Sequence, residues 1–218
     1  MSKRPLNTSI LGITIPEKIR RNPISDTGYP TPWFVAEING SRQDLRIVDA
    51  NKRIAAIKRK LCWVCGQPLG VNMVFVLGPM CVINRTTAEP PCHRDCADYS
   101  ARACPFLTKP RMRRNEVDMP KGHAMSGTGI MRNPGAVALY FTKSYKLMRV
   151  DNGVLFRVGD PEQVLWFAEG RTATRAEIDE SIRTGLPILE AEARKDGPEA
   201  LADLARYVAR AQPLLPSV

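Results

Sequence analysis

The sequence lacks any long apolar run. The longest one, between residues 71 and 83, is interrupted by Asn72, Gly78 and Pro79. A helix needs about 20 apolar residues to span a bilayer, so this run is too short. No apolar stretch follows the polar and basic residues at the start of the chain. We therefore expect neither a signal peptide nor a membrane span, and we predict a cytoplasmic location.

The sequence also lacks the marks of several enzyme classes. Histidine occurs only twice, as His93 and His123. A zinc deaminase would carry a His-x-Glu motif ahead of its cysteine pair, and no such motif is present. No two carboxylates stand out as a general acid and base. The sequence therefore favours a protein that is not an enzyme.

Acidic residues are in deficit, with 22 Asp and Glu against 32 Lys and Arg, a formal net charge of +10. Residues 1–150 hold 24 basic and 10 acidic residues (net +14), whereas residues 151–218 hold 8 and 12 (net −4). Such an excess of positive charge indicates an anionic partner. We predict nucleic acid or an acidic protein as that partner, and no membrane. The sequence leaves the oligomeric state open.

Six cysteines carry the strongest signal in the chain. Cys62 and Cys65 form a C-x2-C pair, His93 and Cys96 form an H-x2-C pair, and 27 residues separate the two pairs. Zinc takes four ligands in a tetrahedron, and two such pairs supply them when folding brings the pairs together. Because the chain is expected in the cytoplasm, a metal site is favoured over disulfides. We predict one structural zinc held by these four residues.

Two alternatives stay open at this stage. Cys92 could replace His93 as the third ligand, although His93 and Cys96 share one helical turn and are preferred. Cys104 is about 12 Å beyond Cys96 along a helix, too far to share the metal. A second zinc site could use the remaining candidates, which are Cys81, Cys92, Cys104 and His123.

The residues between and after the two pairs suggest how the zinc module is built. We expect a hairpin of residues 71–77 and 79–84, turning at Gly78-Pro79, and then a helix that begins near His93 and stops at Pro105. A knuckle, a hairpin and a helix with ligands in its first turn resemble the treble-clef zinc finger. That resemblance covers residues 60–106. It implies a zinc-dependent nuclease or other hydrolase as a further alternative, but the expected hairpin has no histidine to act as base.

A broader resemblance extends over much of the chain. Five short segments are similar to those of a group of bacterial and phage proteins: Gly28–Val35, Cys62–Gly66, His93–Cys96, Cys104–Leu107 and Glu169–Glu177. No activity is attached to that group, so the resemblance implies no mechanism.

Length and periodicity predict an α+β fold: a zinc-stabilised, treble-clef-like module with an antiparallel β-meander and C-terminal helices. We divide the chain into an extended N-terminal arm (1–30), a hairpin, basic helix and zinc module (31–108), a basic linker or loop rich in Gly and Pro (109–136), and a β-meander followed by three helices (137–218).

Local signals define the first hairpin and helix. Asn39-Gly40 lies between two β-rich runs at 33–38 and 45–48, which is a strong hairpin signal. Asp49 can then cap a helix that reaches about Lys60. The apolar positions of this helix, at helical spacing, are Ile54, Ile57 and Leu61.

The C-terminal region carries its own signals. Four β-rich runs lie at 137–141, 145–150, 154–158 and 164–167, and turn residues separate them. Thr174 and Glu177 form a capping box at the start of a helix. We expect Gly185 to end that helix, Pro187 to open a second and Pro198 to open a third.

Exposed basic residues are the candidates for contacts with phosphates. They lie on the predicted basic helix and in the following basic run: Lys52, Arg53, Lys58, Arg59, Lys60, Lys109, Arg111, Arg113 and Arg114. We predict weak binding to nucleic acid without sequence preference. The acidic C-terminal helices are expected to contribute little to it.

Overall fold

A computed structural model describes residues 4–38, 42–109, 133–151 and 153–217 of the protein. The strands are β1 (Val35–Ile38), β2 (Arg42–Val48), β3 (Met73–Leu77), β4 (Thr86–Thr87), β5 (Val137–Thr142), β6 (Tyr145–Val150), β7 (Gly153–Val158), β8 (Gln163–Ala168) and β9 (Arg171–Thr172). The α-helices are α1 (Glu17–Arg20), α2 (Ala50–Arg59), α3 (Pro79–Asn84), α4 (Arg94–Ala103), α5 (Pro105–Thr108), α6 (Arg175–Lys195) and α7 (Pro198–Ala211). The mixed α+β architecture with antiparallel sheets is therefore confirmed.

β1 and β2 form the predicted antiparallel hairpin. Val35 pairs with Val48 at its open end, and Ile38 pairs with Arg42 beside the turn. Residues 39–41, which connect the strands, lie outside the described part of the chain.

α2 begins as its cap predicts, and two of its three predicted apolar positions pack in the cores: Leu61, just past the helix, is 3% exposed, and Ile57 is partly buried. The Asp49 carboxylate accepts hydrogen bonds from the backbone N–H groups of Asn51 and Lys52, at 2.8 and 3.1 Å. Ile54, expected in the core, is 49% exposed, whereas Ala56 is buried.

The central sheet has the strand order β3-β5-β8-β9 and is covered on both sides. Alternate residues of its strands point to opposite faces. The side chains of Val74, Leu139 and Phe167 pack in a core with the cysteines, and we call this the cysteine face. The side chains of Phe75, Tyr140 and Trp166 pack on the other side, which we call the aromatic face.

A second sheet, with the order β4-β7-β6, packs against the aromatic face. Phe156 of this sheet is fully buried, with its ring centroid 5.9 Å from that of Phe75. The four C-terminal strands lie where the sequence predicts them, but the predicted meander is wrong. β5 pairs with β3 and β8, while β6 and β7 form a hairpin in the other sheet. Because β5 is buried along most of its length, other elements must pack on both of its faces. A central position in the sheet allows this packing.

The predicted hairpin at Gly78-Pro79 is also wrong. β3 pairs with β5, and Pro79–Asn84 forms the helix α3 rather than a second strand. Pro79 occupies the first helical position, where its missing N–H costs nothing. Periodicity alone cannot show whether a short apolar run is a strand or a buried helix. Here the proline at the first position favours the helix.

Two long C-terminal helices are present where three were predicted. The Thr174–Glu177 capping box begins α6 as expected. However, α6 runs without a break through Gly185 and Pro187 to Lys195. Gly185 does not end the helix; it lets α6 approach α3, since a Cβ there would lie 2.9 Å from the Met80 sulfur. α7 follows from Pro198 and packs on α3 through Leu204.

The N-terminal segment, for which we predicted an extended arm, contains a 3-10 helix at Thr8–Ile10 and the short helix α1. Ile10 and Ile19 are each 1% exposed and lie in the core of the cysteine face. Residues 4–38 therefore include a packed part of that core.

Candidate metal centre

Cys62 and Cys65 lie on a tight turn between α2 and β3. The Gly66 N–H donates to the Cys62 carbonyl at 2.8 Å, and the Cys62 N–H donates to the Gln67 carbonyl at the same distance. Gly66 has a φ of +72°, and a Cβ there would lie 2.5 Å from Cγ of Trp33. Glycine is therefore required for both the turn and the contact.

His93 and Cys96 lie at the start of α4. The segment before this helix is fixed to β3, because the backbone groups of Cys92 and Val74 bond to each other at 2.7 and 3.0 Å. His93 is the N-cap residue, and Cys96 is the third residue of the helix and fully buried. The first turn of α4 thus directs both side chains towards residues 62–67, which we call the cysteine turn.

The four side chains meet in one cluster. The ligand atoms of Cys62, Cys65, His93 and Cys96 all lie within 4.8 Å of one another. Sγ of Cys65 is 3.4 Å from Nδ1 of His93. A tetrahedral zinc with ordinary bond lengths would separate such a sulfur and nitrogen by about 3.6 Å. The cluster therefore has the size and the donor set to hold a metal ion.

The orientation of His93 also fits metal binding. Its Nε2 lies 3.0 Å from the carbonyl oxygen of Pro68, to which it can donate. A proton on Nε2 leaves the Nδ1 lone pair free, directed at the cluster. A histidine ligand commonly donates its second ring N–H to a carbonyl in this way. The Pro68 carbonyl lies at the end of the cysteine turn, so the same turn positions three of the four ligands.

The cluster by itself favours a single thiolate. Hydrogen bonds from Cys65, Cys92 and Cys96 hold the pKa of Cys62 far below its ordinary value. The hydrogen bond to Cys62 raises the pKa of Cys65 to about 11, and hydrogen bonds to Cys62 and Cys65 also raise the pKa of Cys96. Because neighbouring thiolates repel one another, a cation between them is needed to hold three.

Cys92 lies beside the cluster but outside the group of four. It is 3% exposed, and its thiol is hydrogen-bonded to Cys62. Among the described residues, neither Cys81 nor Cys104 belongs to a metal-sized group. The second site considered from the sequence also needs His123, which lies outside the described ranges.

The N-terminal segment packs around the cysteine turn, a contact that the sequence did not indicate. The Trp33 N–H and the Asn22 side-chain amide both donate to the Val64 carbonyl, at 2.7 and 3.1 Å. The Trp63 ring stacks on Phe34 with centroids 4.6 Å apart. The candidate centre therefore joins three segments that are distant in sequence.

Two of the basic residues predicted to contact nucleic acid make internal hydrogen bonds. Lys52 Nζ donates to the Val35 carbonyl at 2.7 Å. The Arg53 guanidinium donates to the carbonyls of Ala88 and Val154, at 3.0 and 2.5 Å, and partial burial lowers its pKa. Both side chains thus connect α2 to its neighbours.

The remaining predicted contacts divide into two sets. Lys58, Arg59, Lys60 and Lys109 are exposed. Lys60 directly precedes the cysteine turn, and its carbonyl accepts from the Leu69 N–H at 2.8 Å. Arg111, Arg113 and Arg114 lie outside the described residues.

Comparison of the chain with protein-family models, curated proteins and solved structures finds no match. Across the described residues, no helix has the length and apolar character required to cross a membrane. The chemistry of the cluster is therefore the basis for a functional assignment.

Proposed function

We propose that the protein holds a structural zinc ion at Cys62, Cys65, His93 and Cys96, and that it binds nucleic acid weakly through basic residues next to that site. The observation that carries the proposal is the closed cluster of three thiols and one imidazole within 4.8 Å. Three sulfurs and one nitrogen suit zinc better than the oxygen-seeking ions magnesium and calcium.

A structural role follows from the number and burial of the ligands. Cys62, Cys65 and Cys96 are 0 to 8% exposed, and a fourth protein ligand completes the tetrahedron. A catalytic zinc keeps one position open for water or substrate. With four protein ligands in place, zinc would act by holding the cysteine turn against α4. A treble-clef relationship remains part of this proposal, with the usual hairpin reduced to the bridge between Val74 and Cys92.

The nucleic-acid part of the proposal relies on charge and position. Lys58, Arg59 and Lys60 end α2, are exposed and form no ion pair with another described residue. The cysteine turn follows directly, so a bound zinc would fix where these charges are presented. Cations in the last turn also stabilise a helix through its dipole, so the experiment must separate the two roles.

Metal content tests the zinc site. Protein purified without added zinc is expected to contain about one equivalent, and the Cys65→Ala variant is expected to contain almost none. Cys81→Ala is the matched control, because it also removes one thiol but lies outside the cluster. Equal metal content in the two variants would refute the assignment. With cobalt in place of zinc, a spectrum that changes when small anions are added would reveal an open position and favour the hydrolase alternative.

Fluorescence anisotropy with labelled oligo(dT) and duplex DNA at low salt tests the second part. Replacing Lys58, Arg59 and Lys60 together by glutamine is expected to weaken binding. On duplex DNA, the salt dependence should fall by about 0.9 for each phosphate that is no longer neutralised. The matched control replaces three paired cations of α6, Arg183, Arg194 and Lys195, by glutamine. Binding of a polyglutamate peptide alone would favour an acidic protein partner instead.

A further inference from the structure

Five basic side chains from separate elements lie together, and three of them, Arg157, Arg206 and Arg210, come from the net acidic residues 151–218. They come from the second sheet and its flanking residues and from α7. We call them the arginine row: Arg85, Lys146, Arg157, Arg206 and Arg210. Sequence reasoning missed them because they lie far apart along the chain, between residues 85 and 210.

Two members lie side by side on the outer face of the second sheet. Lys146 on β6 is directly opposite Arg157 on β7. The neighbouring residue Phe156 points inward and is fully buried, so Lys146 and Arg157 point away from the core. Arg85 immediately precedes β4, whose residue Thr86 pairs with Arg157 on the other side.

α7 extends the row beyond the sheet. Arg206 and Arg210 are four residues apart and lie on one face of this helix, and Tyr207 directly follows Arg206. The Arg157 guanidinium donates to the Tyr207 hydroxyl at 2.9 Å, and its central carbon lies 5.5 Å from the centre of the Tyr207 ring. Tyr207 therefore connects the cations of the sheet to those of the helix.

The charges in the row are only partly balanced. One carboxylate, Asp160, is 80% exposed and is shared between Arg210 and Arg85. The Arg85 side chain is only 12% exposed, so it adds positive charge to the row rather than a direct phosphate contact. Asp203 pairs with Arg206. Lys146 is exposed and has no ion-pair partner within the described residues. Five cations against two carboxylates leave a net charge of about +3 in this small area.

Arg206 and Arg210 carry the same charge and lie four residues apart on α7. Like charges four residues apart destabilise a helix. Each of these arginines reaches a different carboxylate, and both remain at the surface. The helix thus presents two guanidinium groups along the same edge, next to Arg157.

We propose that the arginine row binds the phosphate backbone of a nucleic-acid strand, as a second contact surface that rests on the nucleic-acid binding proposed above. An extended row suits a polyanion, whereas a single small anion needs one enclosed pocket. Guanidinium groups bind phosphate through two parallel hydrogen bonds, which favours arginine at such surfaces. A nucleic-acid strand bound to the row would contact both the second sheet and α7.

The test compares two triple variants by anisotropy with labelled oligo(dT) at several salt concentrations. The row variant carries Lys146→Gln, Arg206→Gln and Arg210→Gln, and the control carries Arg183→Gln, Arg194→Gln and Lys195→Gln. Both lose three positive charges. The row variant is expected to bind about tenfold more weakly than the control. Its salt slope should be smaller by about 2, because each phosphate neutralised on a single strand adds about 0.7 to that slope.

Each outcome has a separate meaning. If the wild-type protein binds neither DNA nor RNA, the proposed function fails. If it binds and the row variant matches the control variant, the proposal for the row is overturned while the proposed function stands. If a polyglutamate peptide loses affinity for the row variant to the same extent as oligo(dT), the proposal for the row is overturned. An acidic protein partner is then favoured. Thermal unfolding checks both variants, and Lys146→Gln with Arg206→Gln replaces the triple variant should Arg210 prove necessary for folding.

Discussion

The two faces of the central sheet are stabilised in different ways. On the cysteine face, the ten-residue helix α4 packs on the sheet, and the rest of the cover includes short segments: a three-residue 3-10 helix, the four-residue α1 and the cysteine turn. On the aromatic face, a sheet and the 21-residue helix α6 provide the cover. Regular elements satisfy their own backbone groups, whereas short irregular segments need other contacts to stay in place. The candidate metal cluster therefore lies on the face whose cover includes the shorter segments.

The free energy of zinc binding is large compared with the stability of a typical domain. Structural zinc contributes roughly 10–16 kcal/mol in small zinc-finger peptides. Whole domains are stable by about 5–15 kcal/mol. A metal at this cluster would therefore contribute as much as the net stability of the chain, and its removal should affect the cysteine face first.

Removing the metal is the largest expected perturbation. Treatment with a strong chelator is expected to expose backbone amides around Cys62 to Gly66 and at the start of α4, because the ligands no longer hold these segments together. Amides in the β6–β7 hairpin are expected to keep more of their protection. Hydrogen exchange measured by mass spectrometry, with and without chelator, checks this. Equal loss of protection on both faces would show that the two faces unfold as one unit.

Metal affinity is expected to rise steeply with pH. The thiols of Cys65, with a pKa raised to about 11, and of Cys96, with a raised pKa, must lose their protons when a metal binds. Two released protons give an increase of up to about 100-fold in affinity per pH unit while both thiols are protonated. Competition with a chromophoric chelator between mildly acidic and mildly alkaline pH measures this. A pH-independent affinity would contradict the thiol pairing described here.

Gly66→Ala tests the cysteine face without touching a ligand. A Cβ at Gly66 requires a strained φ and meets the Trp33 ring, so we expect a loss of about 2–3 kcal/mol in unfolding free energy. Gly70→Ala is the matched control, since a Cβ there meets nothing within 4 Å. Chemical denaturation of both variants gives the comparison, and similar midpoints would argue against a rigid turn.

An acidic pH effect is expected at the start of α6. The Arg171 hydrogen bond, followed by the Thr174 backbone, lowers the Glu177 pKa from 4.5 to about 2. Its stabilisation is present above pH 4.5 and is lost as the pH falls towards 2. Because Glu177 is largely solvated, we expect Glu177→Gln to cost only about 1 kcal/mol at neutral pH. Glu190→Gln, which removes an exposed helical ion pair, is expected to cost less. Equal costs for both would show that the capping box contributes nothing extra.

Gly185→Ala is expected to have the smallest effect. The three heavy atoms nearest to the new Cβ all belong to the Met80 side chain, which has several rotatable bonds and can shift. Alanine also favours the helix by about 1 kcal/mol relative to glycine. The two effects oppose each other, so the stability should change by less than about 1 kcal/mol in thermal denaturation. A loss as large as that of Gly66→Ala would remove the proposed contrast between the faces.

Local patterns in the sequence were sufficient for several features. The spacing of Cys62, Cys65, His93 and Cys96 predicted the residues that the fold brings together. The Asp49 cap and the Thr174–Glu177 capping box predicted where α2 and α6 begin. These signals involve residues within one turn or one strand, and their physics does not depend on the rest of the chain.

Only the tertiary structure decided how these pieces are arranged. The apolar runs around β5 to β8 do not specify their partners, because strand pairing depends on which faces need cover. Gly185 and Pro187 act as breakers in an isolated helix, yet packing on α3 keeps α6 continuous. Net charge along the sequence also conceals the arginine row, since the fold gathers cations from separate elements. The spacing of residues determines local features such as caps and ligand pairs. The burial of apolar surface determines which elements distant in sequence pack together.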